Sequence, residues 1–276
     1  MLPPAFRNGG VTVNYVNNLK EKIKNGQLNF GTHCSCTDLS FYEMCGRLGY
    51  DYVWIDNEHG GMTNTMVTNA ILATNAGGCA ALVRVVDHSV GNIKPVLEAG
   101  PDGIIFPLVN TAEDARRCVE VCKYPPVGIR GFGPRRAQMY GHIPDGEYYK
   151  MANDSMLLIM QCERKEAVDN LEEILAVPGV DGIIVGLNDL SASVDKFGQI
   201  NDPEVVDMID QVMTKCKKAG KPFGVSLGYN FELAKQWIDC GASFVSLGFP
   251  QDYFFMVGKD AVSRIRKIEE ERPSVK

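Results

Sequence analysis

Eight short apolar runs punctuate the chain, at residues 28–33, 52–56, 80–85, 103–107, 156–163, 182–186, 222–226 and 244–247, each rich in β-branched side chains and too short for a core helix. Between most of them the apolar positions change to helical spacing, at 38–48, 63–74, 111–122, 170–176, 203–219 and 230–240. Glycines such as Gly49 and Gly241 fall where a helix gives way to the next strand, a place suited to a left-handed stop. Successive βα units without a composition break predict an α/β fold, with an all-parallel sheet closed into a (β/α)8 TIM barrel as a single domain over 1–276. The alternative, an open doubly wound sheet, lacks a Gly-x-Gly-x-x-Gly turn after the first strand. One region, around 123–155, breaks the rhythm and reads as an inserted loop region that lies over the active face, reaches a neighbouring subunit, or is a plain surface excursion.

A second pattern lies on top of the first: several apolar runs end in a polar group. The second run closes as Val53-Trp54-Ile55-Asp56-Asn57-Glu58-His59-Gly60-Gly61, the third in Arg84, the fifth in Gln161, Cys162 and Glu163, and Asp189 stands just past the sixth. In a (β/α)8 barrel the C-terminal strand ends form the active face, so these groups are candidates for one site. His59 has the pKa range of a general base, with Asp56 or Glu58 close enough in sequence to orient its ring; a structural histidine is the other reading. Arg84 either stabilises an oxyanion or closes a strand-end salt bridge. Glu163 and Asp189 either supply hard oxygen ligands to Mg²⁺ or Mn²⁺, or pair with Arg164 or Lys165 and cap a helix, respectively. Zinc fits less well, because no His or Cys stands beside these carboxylates at useful spacing. Of the other histidines, His33 closes the first strand, His88 starts a helix and His142 sits in the insertion.

Composition narrows the classes. The formal net charge is −6 with 22% charged residues, which provides no basic footprint for nucleic acid, and 45% hydrophobic residues suffice for a large core. No apolar run reaches membrane-spanning length, and residues 1–8 lack the order of a signal peptide, so a cytoplasmic protein with no membrane partner is expected. Nine cysteines are scattered without a Cys-x-x-Cys pair and read as reduced thiols; Cys34-Ser35-Cys36 and Cys118/Cys122 come nearest to motifs. No lysine sits at a strand end as a Schiff-base enzyme needs, and a serine hydrolase is not expected.

Taken in order, Trp54-Ile55-Asp56-Asn57-Glu58-His59, Val83-Arg84-Val85, Pro107-Leu108-Val109-Asn110-Thr111-Ala112-Glu113, Tyr124-Pro125-Pro126-Val127-Gly128-Ile129-Arg130-Gly131, Gln161-Cys162-Glu163 and Gly186-Leu187-Asn188-Asp189-Leu190-Ser191 make the chain resemble the HpcH/HpaI aldolases, metal-dependent class II pyruvate aldolases. The resemblance implies that Glu163 and Asp189 hold a divalent metal ion, Mg²⁺ or Mn²⁺ with Co²⁺ also usable, and that a 4-hydroxy-2-oxo acid is cleaved to pyruvate and an aldehyde. It implies His59 as base, braced by Asp56, with Arg84 on the pyruvate enolate. It further implies that Gln161 lies beside the metal and that Gly186, Leu187, Asn188 and Asp189 surround the pyruvate. It also implies a homo-oligomer, a hexamer arranged as a trimer of dimers, exchanging a C-terminal helix. Leu187-Asn188 stands where the family commonly has Pro-Ala, and Arg135 and Arg136 suggest an acidic tail on the substrate. Two other readings stay open: another C–C lyase of citryl-CoA or decarboxylating type, and a non-catalytic regulator that binds an oxo acid.

Overall fold

Alternation along each strand decides what the interior is made of. The computed structural model describes residues 19–272; the N-terminal residues 1–8 and the outer limits of the 1–276 domain lie outside the described residues. Strands β1 (Asn29–Cys34), β2 (Tyr52–Asp56), β3 (Ala80–Arg84), β4 (Gly103–Phe106), β5 (Leu157–Cys162), β6 (Gly182–Gly186), β7 (Phe223–Leu227) and β8 (Phe244–Leu247) pair in parallel in chain order, and β8 closes on β1. A closed sheet has no exposed edge, and successive side chains must point in and out of it. One parity, including Tyr52, Trp54, Leu82, Ile105, Leu157, Ile159, Ile184 and Phe244, forms a cluster inside the barrel. The other parity, including Val53, Ile55, Val83, Leu158, Met160, Val185 and Val245, packs against the outer helices. The rings need room: a Cβ on Gly31 would lie 2.2 Å from Tyr52, and one on Gly224 would lie 2.2 Å from Phe244. Glycine across from an aromatic ring is how this narrow interior is filled.

The outer layer comprises α2 (Leu39–Leu48), α3 (Asn64–Gly77), α4 (Val90–Ala99), α5 (Ala112–Cys122), α7 (Lys165–Asp169), α8 (Leu171–Leu175), α9 (Leu187–Ala192), α10 (Pro203–Lys218) and α11 (Phe231–Asp239). Gly49 and Gly241 have φ of 96° and 90°, the left-handed stops expected there. The helix expected over 170–176 is α8, and a further short helix, α7, precedes it and joins it at Asn170. Before the barrel, α1 (Leu19–Lys24) inserts Leu19 and Ile23 into the interior cluster and closes its lower mouth.

The insertion at 123–155 is not over the active face. It contains α6 (Asp145–Ser155) and folds against the end of α4 and the loop feeding β4, at the N-terminal end of the strands. Arg130 donates to the Leu97 carbonyl at 3.2 Å, and Arg136 donates to the Gly100 carbonyl at 3.1 Å and to Asn75 at 2.8 Å. Arg136 is therefore buried at the wrong end of its own barrel to meet a substrate tail, which removes half the basis for expecting an acidic one. At the other extreme α12 (Pro250–Glu270) buries only Pro250 and leaves Phe254, Phe255, Val257, Val262, Ile265 and Ile268 exposed. Among the described residues no helix is long and apolar enough to cross a membrane.

His33, inside the barrel, lies against the rings of Trp54 and Phe249, each 4.6 Å away, and its Nε2 is 2.9 Å from the Ser226 hydroxyl. Burial, helped by the Arg84 charge, pushes its pKa down from 6.5 to about 3. The unfolded chain takes up a proton below 6.5 that the native barrel refuses until about 3, so the stability His33 contributes is lost as pH falls through that window. Urea unfolding of the parent and of His33→Gln should show a steeper acid loss in the parent across it; equal slopes would contradict the assignment.

Candidate active site

Strands β2 to β6 each bring a group to the same end of the barrel. Asp56 and Arg84 are register partners at the ends of β2 and β3, both facing inward and both buried. Arg84 donates through Nε at 3.1 Å and Nη2 at 2.6 Å to the two Asp56 oxygens, a bidentate pair, and its guanidinium lies 5.1 Å from the Trp54 ring centre. Burial alone would raise the Asp56 carboxyl, but the Arg84 hydrogen bonds and charge outweigh it and hold the pKa below the ordinary value. Asp56 Oδ1 also accepts the backbone N–H groups of Glu58 and His59, at 3.1 and 3.2 Å.

That geometry redistributes the roles within the Asp56-to-His59 stretch. Asp56 fixes the backbone of the turn and not the imidazole; the carboxylate nearest the His59 ring is Glu58, 3.6 Å from Nε2. Glu58 also forms an ion pair with Arg84 Nη1 at 3.0 Å, so it links the His59 ring to the guanidinium. Burial raises its carboxyl pKa although Arg84 and His59 pull it the other way, with Asp56 and Asp189 adding repulsion. The His59 side chain is 67% exposed, open to a ligand entering from the mouth.

Glu163 follows β5 and is 3% exposed. It pairs with neither Arg164 nor Lys165. One oxygen accepts the Leu108 backbone N–H at 2.6 Å, and the other accepts from Gln161, whose own Oε1 is 3.4 Å from Arg84. Leu108 makes its bond from a left-handed conformation, φ 53°, a strained setting for a branched residue and one typical of functional sites. The Leu108 donor has no sequence signal, because a backbone amide leaves no residue signature. Burial pushes the Glu163 carboxyl up to about 7, and the negative Glu58 and Asp189 contribute to the same rise. Asp189 is exposed in the first turn of α9, where Gly186 and not Asp189 is the cap. A Cβ on Gly186 would lie 3.0 Å from Gln161 Nε2 and 3.2 Å from Glu163 Oε2, so glycine keeps that wall of the site clear.

A buried carboxylate among like charges, with the Arg84 guanidinium already engaged by Asp56 and Glu58, is a place for a cation. The donors are oxygens, and among the described residues no cluster of three His, Cys, Asp or Glu side chains offers a metal cage. The set therefore suits a hard divalent ion that keeps waters and substrate in its shell, as Mg²⁺ does, and not zinc.

Gly224-Val225-Ser226-Leu227-Gly228 has the spacing of a hydrolase nucleophile elbow, so sequence alone does not dismiss a serine hydrolase. The structure does: Ser226 lies within β7 and not on a strand-to-helix turn, and its partner His33 is too weak a base.

The profile of the HpcH/HpaI aldolase/citrate lyase family matches residues 30–255. A 2-keto-3-deoxy-L-rhamnonate aldolase of Escherichia coli K12 is 36% identical over 234 residues, covering 84% of this chain and 86% of the relative. Among solved structures, an HpcH/HpaI aldolase/citrate lyase family protein from Burkholderia cenocepacia J2315 superposes with a TM-score of 0.86 at 29% identity, over 91% of this chain and 99% of that one. An HpcH/HpaI aldolase from Desulfitobacterium hafniense DCB-2 gives 0.86 at 25% identity, over 95% and 99%.

Removing one partner of a buried ion pair strands the other. Asp56→Ala should cost about 3–5 kcal/mol in chemical denaturation; a loss below about 1 kcal/mol, the worth of an exposed pair, would contradict the burial of this one.

Proposed function

This chain belongs to the HpcH/HpaI aldolase/citrate lyase family, and from that premise we propose that it is a divalent-metal-dependent aldolase cleaving a 4-hydroxy-2-oxo acid to pyruvate and an aldehyde. The observation that carries this reading is Glu163, a buried carboxylate beside Glu58 and Asp189 with no ion-pair partner among the described residues. Glu163 and Asp189 would hold a divalent ion, Mg²⁺ or Mn²⁺ by donor type with Co²⁺ as a substitute, which would supply Lewis-acid stabilisation to a developing enolate.

The chain's own groups do the rest. Gln161 sits beside Glu163 and orients its carboxylate, while Gly186 leaves the space in which pyruvate lies. Backbone N–H groups of Leu187, Asn188 and Asp189 receive the pyruvate carboxylate. His59 takes the proton from the C4 hydroxyl, with Glu58 steadying the ring as it becomes positive. As the C3–C4 bond breaks and the aldehyde leaves, Arg84, fixed by Asp56, faces the enolate charge in a water-poor site. Return of that proton from His59, by way of solvent, to C3 then releases pyruvate.

The tail of the substrate is better matched by a hydroxylated 2-keto-3-deoxy acid, the class named in the 36% identical relative, than by an acid group awaiting Arg136. The exposed apolar side of α12 supports exchange of that helix between subunits of a homo-oligomer, a hexamer built as a trimer of dimers. A cytoplasmic location agrees with nine free thiols.

Pyruvate release from 2-keto-3-deoxy acids should fall at least about a hundredfold in chelator, a loss in the range of metal-shell defects, and return with Mn²⁺; undiminished cleavage in chelator would exclude the mechanism. His59→Ala should lower kcat by roughly 10²–10⁴ while calorimetry shows pyruvate binding nearly unchanged. Carbon dioxide or an acyl-CoA product would identify the other lyase types, and tight pyruvate binding without turnover a regulator.

A further inference from the structure

Cys34 and Cys36 stand apart from the other thiols. Cys34 is the fully buried last residue of β1; Cys36, two residues on, is partly exposed, and the two sulfurs are 3.2 Å apart. Their side chains therefore converge, and closing them to a disulfide of about 2.05 Å requires only about 1 Å of movement. Burial pushes the Cys34 thiol well above its ordinary pKa, and Cys36 is the partner that meets solvent and an incoming oxidant. The residue between them touches the catalytic turn: a Cβ on Gly60 would lie 2.7 Å from the Ser35 Cβ and 2.2 Å from the Asp56 carbonyl oxygen, so no slack separates this loop from the residue after His59.

We propose that Cys34 and Cys36 form an oxidation site whose closure to an intramolecular disulfide displaces the His59 turn. Hydrogen peroxide is the oxidant. The Cys36 thiolate attacks one peroxide oxygen, the O–O bond breaks, and Cys36 becomes a sulfenic acid with release of hydroxide. The Cys34 sulfur then attacks the Cys36 sulfur, the S–O bond breaks, and the oxygen leaves as water with the Cys34 proton. In total two thiols lose two electrons and two protons, and peroxide is reduced to two waters. A dithiol reductant reverses the change. Because Ser35 is carried along with the closing loop, the strain falls on Gly60 and then on His59.

The test uses the whole protein. After peroxide treatment, remaining thiols are alkylated in denaturant, and the tryptic peptide Asn25–Arg47, which carries Cys34, Cys36 and Cys45, is sequenced by mass spectrometry. The expected peptide has lost two hydrogens and is alkylated only at Cys45, and dithiothreitol restores alkylation at all three positions. Cys36 over-oxidised beside an alkylated Cys34, or a bond to Cys45 or to Cys240 of another molecule, would overturn the pairing. This readout is independent of the aldolase reading. On activity, the disulfide form should turn over roughly tenfold or more slowly, as small misplacements of a catalytic group do, and recover with reductant. Cys36→Ser should keep the basal rate and ignore reversible peroxide inhibition. A disulfide form with an unchanged rate would overturn the link to His59.

Discussion

A closed parallel barrel obliges every second side chain to face inward, and the site depends on that parity. The column Tyr52, Trp54, Asp56 runs beside Ala80, Leu82, Arg84, and Leu157, Ile159, Gln161 leads on to Glu163. In each, the lower positions fill the buried interior and the last one is polar. A slip of one residue in β2 or β3 would turn Asp56 or Arg84 out among the helices, where Val83 and Ile55 now pack. The apolar filling below is thus what holds the chemistry above it in place.

Charge accounts for the next level. Arg84 is the guanidinium within the cluster, and both Asp56 and Glu58 engage it. Glu163 is left with hydrogen bonds from Leu108 and Gln161, which orient it without neutralising it. A neutral carboxyl would be the alternative solution for such a buried group. The nearby Asp189, exposed at the start of α9, argues for shared use of the two carboxylates on one cation. The same arrangement separates the work: Asp56 and Glu58 fix Arg84, and Glu58 alone reaches the His59 ring.

Much of this was legible in the sequence. The eight strands and their polar ends follow from period and composition, and Asp56, Arg84, Gln161 and Glu163 converge as their strand-end positions imply. Other features were hidden for physical reasons. The Glu163–Leu108 bond uses a main-chain amide; the fusion of Glu58 to both Arg84 and His59 depends on side-chain direction, which separations of one and three residues do not fix. The position of 123–155 could have been read from chain order, since a segment between a helix and the next strand lies at the N-terminal end of a barrel. Pro95 inside α4 and the apolar solvent face of α12 obscure the periodicity by which helices are recognised.

The central claim is that the excess negative charge at Glu163 and Asp189 exists to hold one divalent cation against an oxo acid. A crystal grown with Mn²⁺ and pyruvate, measured for anomalous scattering from manganese, tests it most directly. The account predicts one strong peak in the barrel mouth, about 2.1–2.2 Å from a carboxylate oxygen of Glu163 and of Asp189, with pyruvate completing its oxygen shell. A barrel mouth without that peak, or manganese bound elsewhere while pyruvate occupies the site, would contradict it.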